Sequence, residues 1–302
     1  MERKTNMDAF GASSLVAFAL LLAFNQVVVK VVNDGLQPVF FAGVRSVGAA
    51  VLVALWIWAR GGSLRIARRY WGAAAAMGTC FAVEFVCLFL ALDLTTVTRS
   101  SIIFYTMPVW LALAAHFVLP GERISPQKAL GLALAFGGAV TAIAFRSGGG
   151  QGSLLGDVFA LGGALGWAGI ALVARATRFN EVAPRVQHFY QLALSAPLLL
   201  LAAPLFGPFI RDLAPIHLWG VAFQIVVVAG FGFLFWIWII SIYPASSVAA
   251  FSFLSPIFGI FLGVVLLGET LAWPIVVAGL LVAVGLVLIN LPARRSQVPQ
   301  KV

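Results

Sequence analysis

A handful of ionisable and amide side chains stand inside stretches that are otherwise apolar, and chemistry is possible at those positions. Glu84 lies in the apolar run 71–92, Arg45 in 38–59, Asn25 and Lys30 in 9–32, and Gln224 in 216–239. A charge placed in hydrocarbon costs roughly 2.5–3.5 kcal/mol on insertion scales, so it turns toward a partner or a watery interior. At Glu84, burial favours the neutral acid and a nearby cation favours the carboxylate. Such a group can take up and give back a proton. Arg45 carries a planar fork that matches a solute carboxylate bidentately; a side chain snorkelling to the interface is the plainer alternative. Counted from the ends of their runs at about 1.5 Å per residue, Arg45 sits about 10 Å and Glu84 about 12 Å deep. They share one level, so a static Arg45–Glu84 pair competes with the proton-carrying reading. Cys80, Glu84 and Cys87 fall on one helical face, a stripe turned to another helix or to a cavity.

A second polar band, His188, Tyr190 and Gln191, opens the run 185–207. His188 titrates near neutrality and extends a solute pathway inward unless it is merely interfacial. Tyr105 and Trp167 are amphipathic groups within spans, cavity liners or packing anchors. Nothing here resembles catalytic machinery. His116, His188 and His217 stand on separate runs with no His-Glu-x-x-His spacing, and no Gly-x4-Gly-Lys-Ser/Thr phosphate loop is present. No catalytic residue, metal or cofactor is therefore expected, and the chain is not expected to be an enzyme.

The elements that must position these residues follow from composition. Of 302 residues, 62% are hydrophobic and only 10% charged, with a mean hydropathy of +1.04. A soluble protein carries about 25% charged residues, so a soluble enzyme, a disordered chain and a disulfide scaffold are excluded. Cys80 and Cys87 would lie about 10 Å apart on a helix, too far to bridge. The net charge of +9 is spread among apolar blocks and forms no basic face for nucleic acid, which is not an expected partner. The opening apolar run is longer than a signal-peptide core and is read as a retained span.

A membrane-crossing helix needs about 20 apolar residues. Ten runs qualify: 9–32, 38–59, 71–92, 96–119, 127–145, 154–174, 185–207, 216–239, 244–267 and 273–291. They are separated by turn and charge signals such as Asn33-Asp34-Gly35, Arg60-Gly61-Gly62, Pro120-Gly121-Glu122 and Ser147-Gly148-Gly149-Gly150. Alternating strand patterns are absent, which argues against a barrel. The expected fold is an all-α membrane protein of ten transmembrane helices. Lys and Arg cluster in both termini and the even-numbered loops, including Arg60, Arg65, Arg68, Arg69, Arg123, Arg175 and Arg178, which places both termini in the cytoplasm.

The pattern Pro108…Gly121-Glu122…Pro126…Gly131…Gly137 recurs as Pro256…Gly268-Glu269…Pro274…Gly279…Gly285. Each half holds five spans, so the second enters the bilayer from the opposite side. Such inverted repeats are built around a solute site near mid-membrane. Pro108 and Pro256 are expected inside the fourth and ninth helices as flexing points, since each removes a backbone hydrogen bond. Glu122 and Glu269 are expected near water at opposite faces, capping the helices that follow them. The polar-poor fifth and tenth helices, with Gly131, Gly137, Gly138, Gly279 and Gly285, read as scaffold or as the face of a homodimer.

In Asn25-x4-Lys30, Pro38…Gly43-Val44-Arg45, Leu119-Pro120-Gly121-Glu122-Arg123 and Tyr243-Pro244-Ala245…Ser255-Pro256…Leu266-Leu267-Gly268-Glu269, the chain resembles the drug/metabolite transporter (DMT) superfamily with two EamA-type repeats. The resemblance covers nearly the whole chain. It implies a carrier of the bacterial-type inner membrane, often an exporter of amino acids, their derivatives or other small organic solutes. The expected organisation is a first repeat over 9–146, an inverted second repeat over 154–291 and a cytoplasmic tail over 292–302. The expected partners are a small solute, the lipid bilayer and protons as coupling ion. The candidate cavity residues are Asn25, Arg45, Glu84, Tyr105, Trp167, His188, Tyr190, Gln191 and Gln224, with Glu84 as the proton carrier. An uncoupled facilitator or channel-like permease is the alternative function.

Overall fold

In the computed structural model, residues 7–120, 122–145, 152–243 and 251–290 are described. Residue 121, the end of the first expected repeat at 146, the glycine-rich break that follows it, the start of the ninth run at 244 and the tail 292–302 lie outside them.

The helices begin where sequence chemistry supplies caps. Asp8 accepts from the Gly11 N–H at 2.8 Å and opens α1, Ala9–Gly35. Gln37 caps α2, Pro38–Ala59, with proline in its first turn, where no intrahelical N–H bond is lost. After the turn Arg68–Tyr70 comes α3, Trp71–Leu94. The fourth run is not one helix. It divides into α4, Val97–Phe104, and α5, Met107–Val118. Ser125 and Ser153 cap α6, Pro126–Ala144, and α7, Leu154–Ala176. Pro184–Ala202 forms α8, with Pro197 inside it. Pro215–Phe223 is α9, which widens into a π-helical stretch over Gln224–Gly232 before α10, Phe233–Ile242. The chain continues through Phe251–Phe253 into α11, Leu254–Leu267, and ends in α12, Trp273–Asn290. Gly268 closes α11 in the left-handed conformation at φ 64°, which glycine adopts without a Cβ penalty.

Among the described residues nine helical stretches are long and apolar enough to cross a membrane, with α4 and α5 counted together and α9 counted through the π-helical stretch into α10, and α11 is a shorter apolar helix. Among the described residues there is no strand, only the isolated bridge Leu36–Ile210. The architecture is that of an all-α membrane protein.

Helices from the two halves interleave. The third helix packs between α7 and α8, α2 lies along α8, and α1 runs against α9 and α11. Small residues permit the closest approaches. A Cβ on Gly166 of α7 would stand 2.8 Å from the Glu84 backbone, and one on Gly78 of α3 would meet Leu194 of α8 at 2.6 Å. The polar-poor helices α6 and α12 pack on each other, with Gly131 against the Gly285 carbonyl and Gly138 against that of Ala278. Gly131, Gly138 and Gly285 thus serve an intramolecular seam, and Gly279 packs on Ile260 of α11.

Candidate functional site

Arginine only donates hydrogen bonds, so whatever holds a buried arginine must present oxygen or a π face. Arg45 on α2 is 5% exposed. Its Nε donates to Gln224 Oε1 at 3.1 Å, and its guanidinium carbon lies 4.4 Å from the centre of the Phe85 ring. With its oxygen committed to Arg45, Gln224 turns its amide nitrogen to α1. There it donates to Asn25 Oδ1 at 2.6 Å and to the Asn25 carbonyl at 3.3 Å. Asn25, Gln224 and Arg45 thus form one relay joining α1, the first residue of the π-helical stretch and α2. The expectation of Arg45 snorkelling to an interface is overturned by its burial. So is the static ion pair. Arg45 and Glu84 feel each other's charge, but Glu84, 5% exposed, makes no ion pair or hydrogen bond among the described residues. Depth arithmetic gave their common level and left their directions around the helix axes undetermined.

The Cys80–Glu84–Cys87 stripe faces α7. A Cβ on Gly169 would meet Cys80 Sγ at 3.0 Å and one on Gly162 would meet Cys87 Sγ at 2.8 Å, with Gly166 against Glu84 between them. The glycines let α3 and α7 touch along the stripe.

A second cluster surrounds Tyr105, in the break between α4 and α5. Its hydroxyl faces Ser255 on α11 and Gln26 on α1. Ser101 donates to Gln26 Oε1 at 2.8 Å. Gln26 neighbours Asn25, so consecutive residues of α1 serve the two polar clusters. Pro108 does not sit inside a helix; it occupies the first turn of α5, and Pro256 the first turn of α11. A proline ring clashes with the carbonyl four residues earlier, and α4 ends at that residue, Phe104. Thr106 spans the break: its hydroxyl donates to the Ile103 carbonyl at 2.6 Å and accepts from Trp110 Nε1 at 3.1 Å.

The expected band of His188, Tyr190 and Gln191 does not hold together. His188 is stacked on Phe233 at 3.4 Å, and its Nε2 lies 3.1 Å from the Ala229 carbonyl of the π-helical stretch. A carbonyl only accepts, so Nε2 carries the proton. Gln191 reaches His188 Nδ1 at 3.5 Å, and the Arg45 charge is felt at His188. Tyr190 points elsewhere. Its hydroxyl donates to the Leu64 carbonyl at 3.1 Å and its ring meets Trp71 edge-on, so it ties the end of α8 to the loop before α3. Trp167 is partly buried and packs on the core.

Sequence reasoning missed a buried polar set at one end of the bundle. Arg99 on α4 forms a two-pronged pair with Asp157 on α7, Nη2–Oδ2 at 2.5 Å and Nε–Oδ1 at 3.1 Å. Their side chains are 7% and 0% exposed. Glu269 is not near water and does not cap the helix after it. It is 6% exposed and accepts from the N–H groups of Val97 at 2.6 Å and Thr98 at 2.8 Å, capping α4 in the other half. Lys30 donates to the Leu92 and Thr95 carbonyls, both at 2.9 Å, where a cation suits the helix C-terminus. Arg211 in the loop before α9 binds Asp93 at 2.6 Å and the Asn33 carbonyl at 2.9 Å. Its hydrogen bond to Asp93 raises the guanidinium pKa above its ordinary value. The opposite end is tied by more exposed contacts, Arg69–Glu181 at 3.0 Å and Arg175–Glu122. The one legible signal for the first set was Asp157, a lone acid in an apolar run.

An interleaved bundle of apolar helices with a buried polar relay across its halves is the architecture of a polytopic membrane protein. The EamA-like transporter family matches residues 9–144 and again residues 154–291. The chain belongs to this family, within the DMT superfamily. It is similar to the uncharacterized transporter YoaV of Bacillus subtilis (strain 168), 23% identical over 286 residues that cover 90% of this chain and 94% of that protein. A solved crystal structure superposes with a TM-score of 0.66 at 20% identity, covering 91% of this chain and 95% of the other; that likeness supports the fold.

Proposed function

We propose that the protein is a secondary carrier that moves small organic solutes outward across a bacterial-type inner membrane by alternating access, with both termini cytoplasmic. The halves 9–146 and 154–291 rock about a cavity bordered by Asn25, Arg45, Glu84, Tyr105, Trp167, His188, Gln191 and Gln224, and the breaks beside Pro108 and Pro256 serve as flexing points. The observation that carries this reading is the Asn25–Gln224–Arg45 relay. It joins both halves through a buried charge that no ion pair fixes, so its environment changes when the halves move. Glu84 is the proton site. A carboxyl with no hydrogen bond among the described residues and a cation within electrostatic reach switches its charge with its surroundings.

The test is counterflow in proteoliposomes with a panel of amino acids and amphipathic amines, with and without a pH gradient. The expected outcome is gradient-driven accumulation that Glu84→Gln abolishes while solute exchange without a gradient survives. Undiminished gradient-driven accumulation in Glu84→Gln removes Glu84 from coupling. No uptake of any solute by the unaltered protein counts against transport.

A further inference from the structure

Arg45 is held on two sides and unsatisfied on a third. Its Nε is spent on Gln224, its face on Phe85, and its Nη1 is buried with no hydrogen-bond partner among the described residues. A buried charged donor left without an acceptor costs more than the roughly 1–3 kcal/mol of a neutral one. The held portion is fixed with care. Gln224 can offer its oxygen to Arg45 only because Asn25 takes its amide N–H groups, so Asn25 sets the orientation of Gln224 and Gln224 the plane of the guanidinium. The remaining fork edge calls for an acceptor with two oxygens in one plane. Glu84 does not supply it, and the near-complete burial of Arg45 keeps lipid headgroups away.

We infer that Arg45 is the binding site for the carboxylate of a small organic solute, with Gln224 and Asn25 as positioning residues that aim its free edge. A carboxylate accepts two parallel N–H bonds from such a fork; an amine offers no acceptor and an amide only one oxygen. The selectivity therefore lies in the anion. The inference rests on the transport reading for its biological use, but it concerns binding and is tested as binding.

The experiment is thermal unfolding of the purified full chain in detergent at constant ionic strength. The probes are acetate, benzoate and 4-methylpentanoate, with 4-methylpentanamide and 4-methylpentylamine as matched controls and chloride as the anion blank. A ligand that binds only the folded state raises the midpoint with its concentration. The expected result is a concentration-dependent rise with at least one carboxylate and none with its controls, lost in Arg45→Gln. Gln224→Met keeps the arginine and removes its aim. It should lower the unliganded midpoint, because the Arg45 Nε loses its buried acceptor, weaken the carboxylate about tenfold, the worth of one charge-assisted bond, and shrink the carboxylate-over-amide preference in step. A merely structural glutamine would lower the midpoint equally but leave that preference intact.

No rise with any carboxylate, an equal rise with amine or amide, or a preference unchanged in Gln224→Met overturns the inference. Should Arg45→Gln not fold, the Gln224→Met preference decides. Carboxylate binding without counterflow would instead refute the transport reading and leave this site standing, whereas amine counterflow without carboxylate binding would do the reverse.

Discussion

Glu122 and Glu269 occupy matching places in the two repeats, each after a glycine, yet the structure gives them unequal work. Both carboxylate oxygens of Glu269 accept buried backbone N–H groups, from Val97 and Thr98, whereas Glu122 is 37% exposed and meets Arg175 at the surface. In Glu269→Gln the amide oxygen still accepts from one N–H, but the NH2 group faces the other. One charge-assisted bond, about 1.5–3 kcal/mol, is lost, and so is the favourable charge at the α4 N-terminus, about 0.3–1 kcal/mol. The total is about 2–4 kcal/mol. At roughly 2–3 °C per kcal/mol for a chain of this size, the unfolding midpoint in detergent should fall by about 5–10 °C. Glu122→Gln removes an exposed pair worth about 0–1 kcal/mol and should shift the midpoint by no more than about 3 °C. Equal losses in the two variants, or a larger loss at Glu122, would show that Glu269 does not cap the other half and would refute the reasoning.

Two further perturbations probe the same framework. Asp157→Asn leaves Arg99 buried and unpaired, which should cost about 3–5 kcal/mol, whereas replacing Arg99 and Asp157 together by leucine should recover most of it; denaturant unfolding of the singles and the double measures the difference. Gly166→Ala drives a Cβ to 2.8 Å from the Glu84 backbone, an overpacking of about 1–3 kcal/mol. Gly137→Ala meets nothing within 4 Å and should be neutral or stabilising by up to about 1 kcal/mol, since alanine is the better helix former. Comparable midpoints for the two variants would contradict the close α3–α7 seam.

The helices were legible because hydrocarbon thickness imposes a length that composition reveals; their caps, Asp8, Gln37, Ser125 and Ser153, emerge only in the structure. The site was legible only as a set of members. Asn25, Arg45 and Gln224 each stood out as polar within an apolar run, but their relay depends on side-chain direction across repeats, which a count along one helix does not contain. The same limit misassigned Arg45 to Glu84 and Glu269 to the helix beside it in sequence. Gln26 and Ser101 escaped notice because small or amide polar groups cost little enough in a span to draw no attention singly. Phe85 was invisible among many aromatics until Arg45 was found over its ring. The π-helical widening at Gln224–Gly232 has no composition signature, yet it bears directly on the site. It begins at the residue that aims Arg45 and contains the Ala229 carbonyl that receives His188. A shift in this one stretch moves both contacts at once, so the backbone irregularity that the sequence concealed links the Arg45 relay to His188.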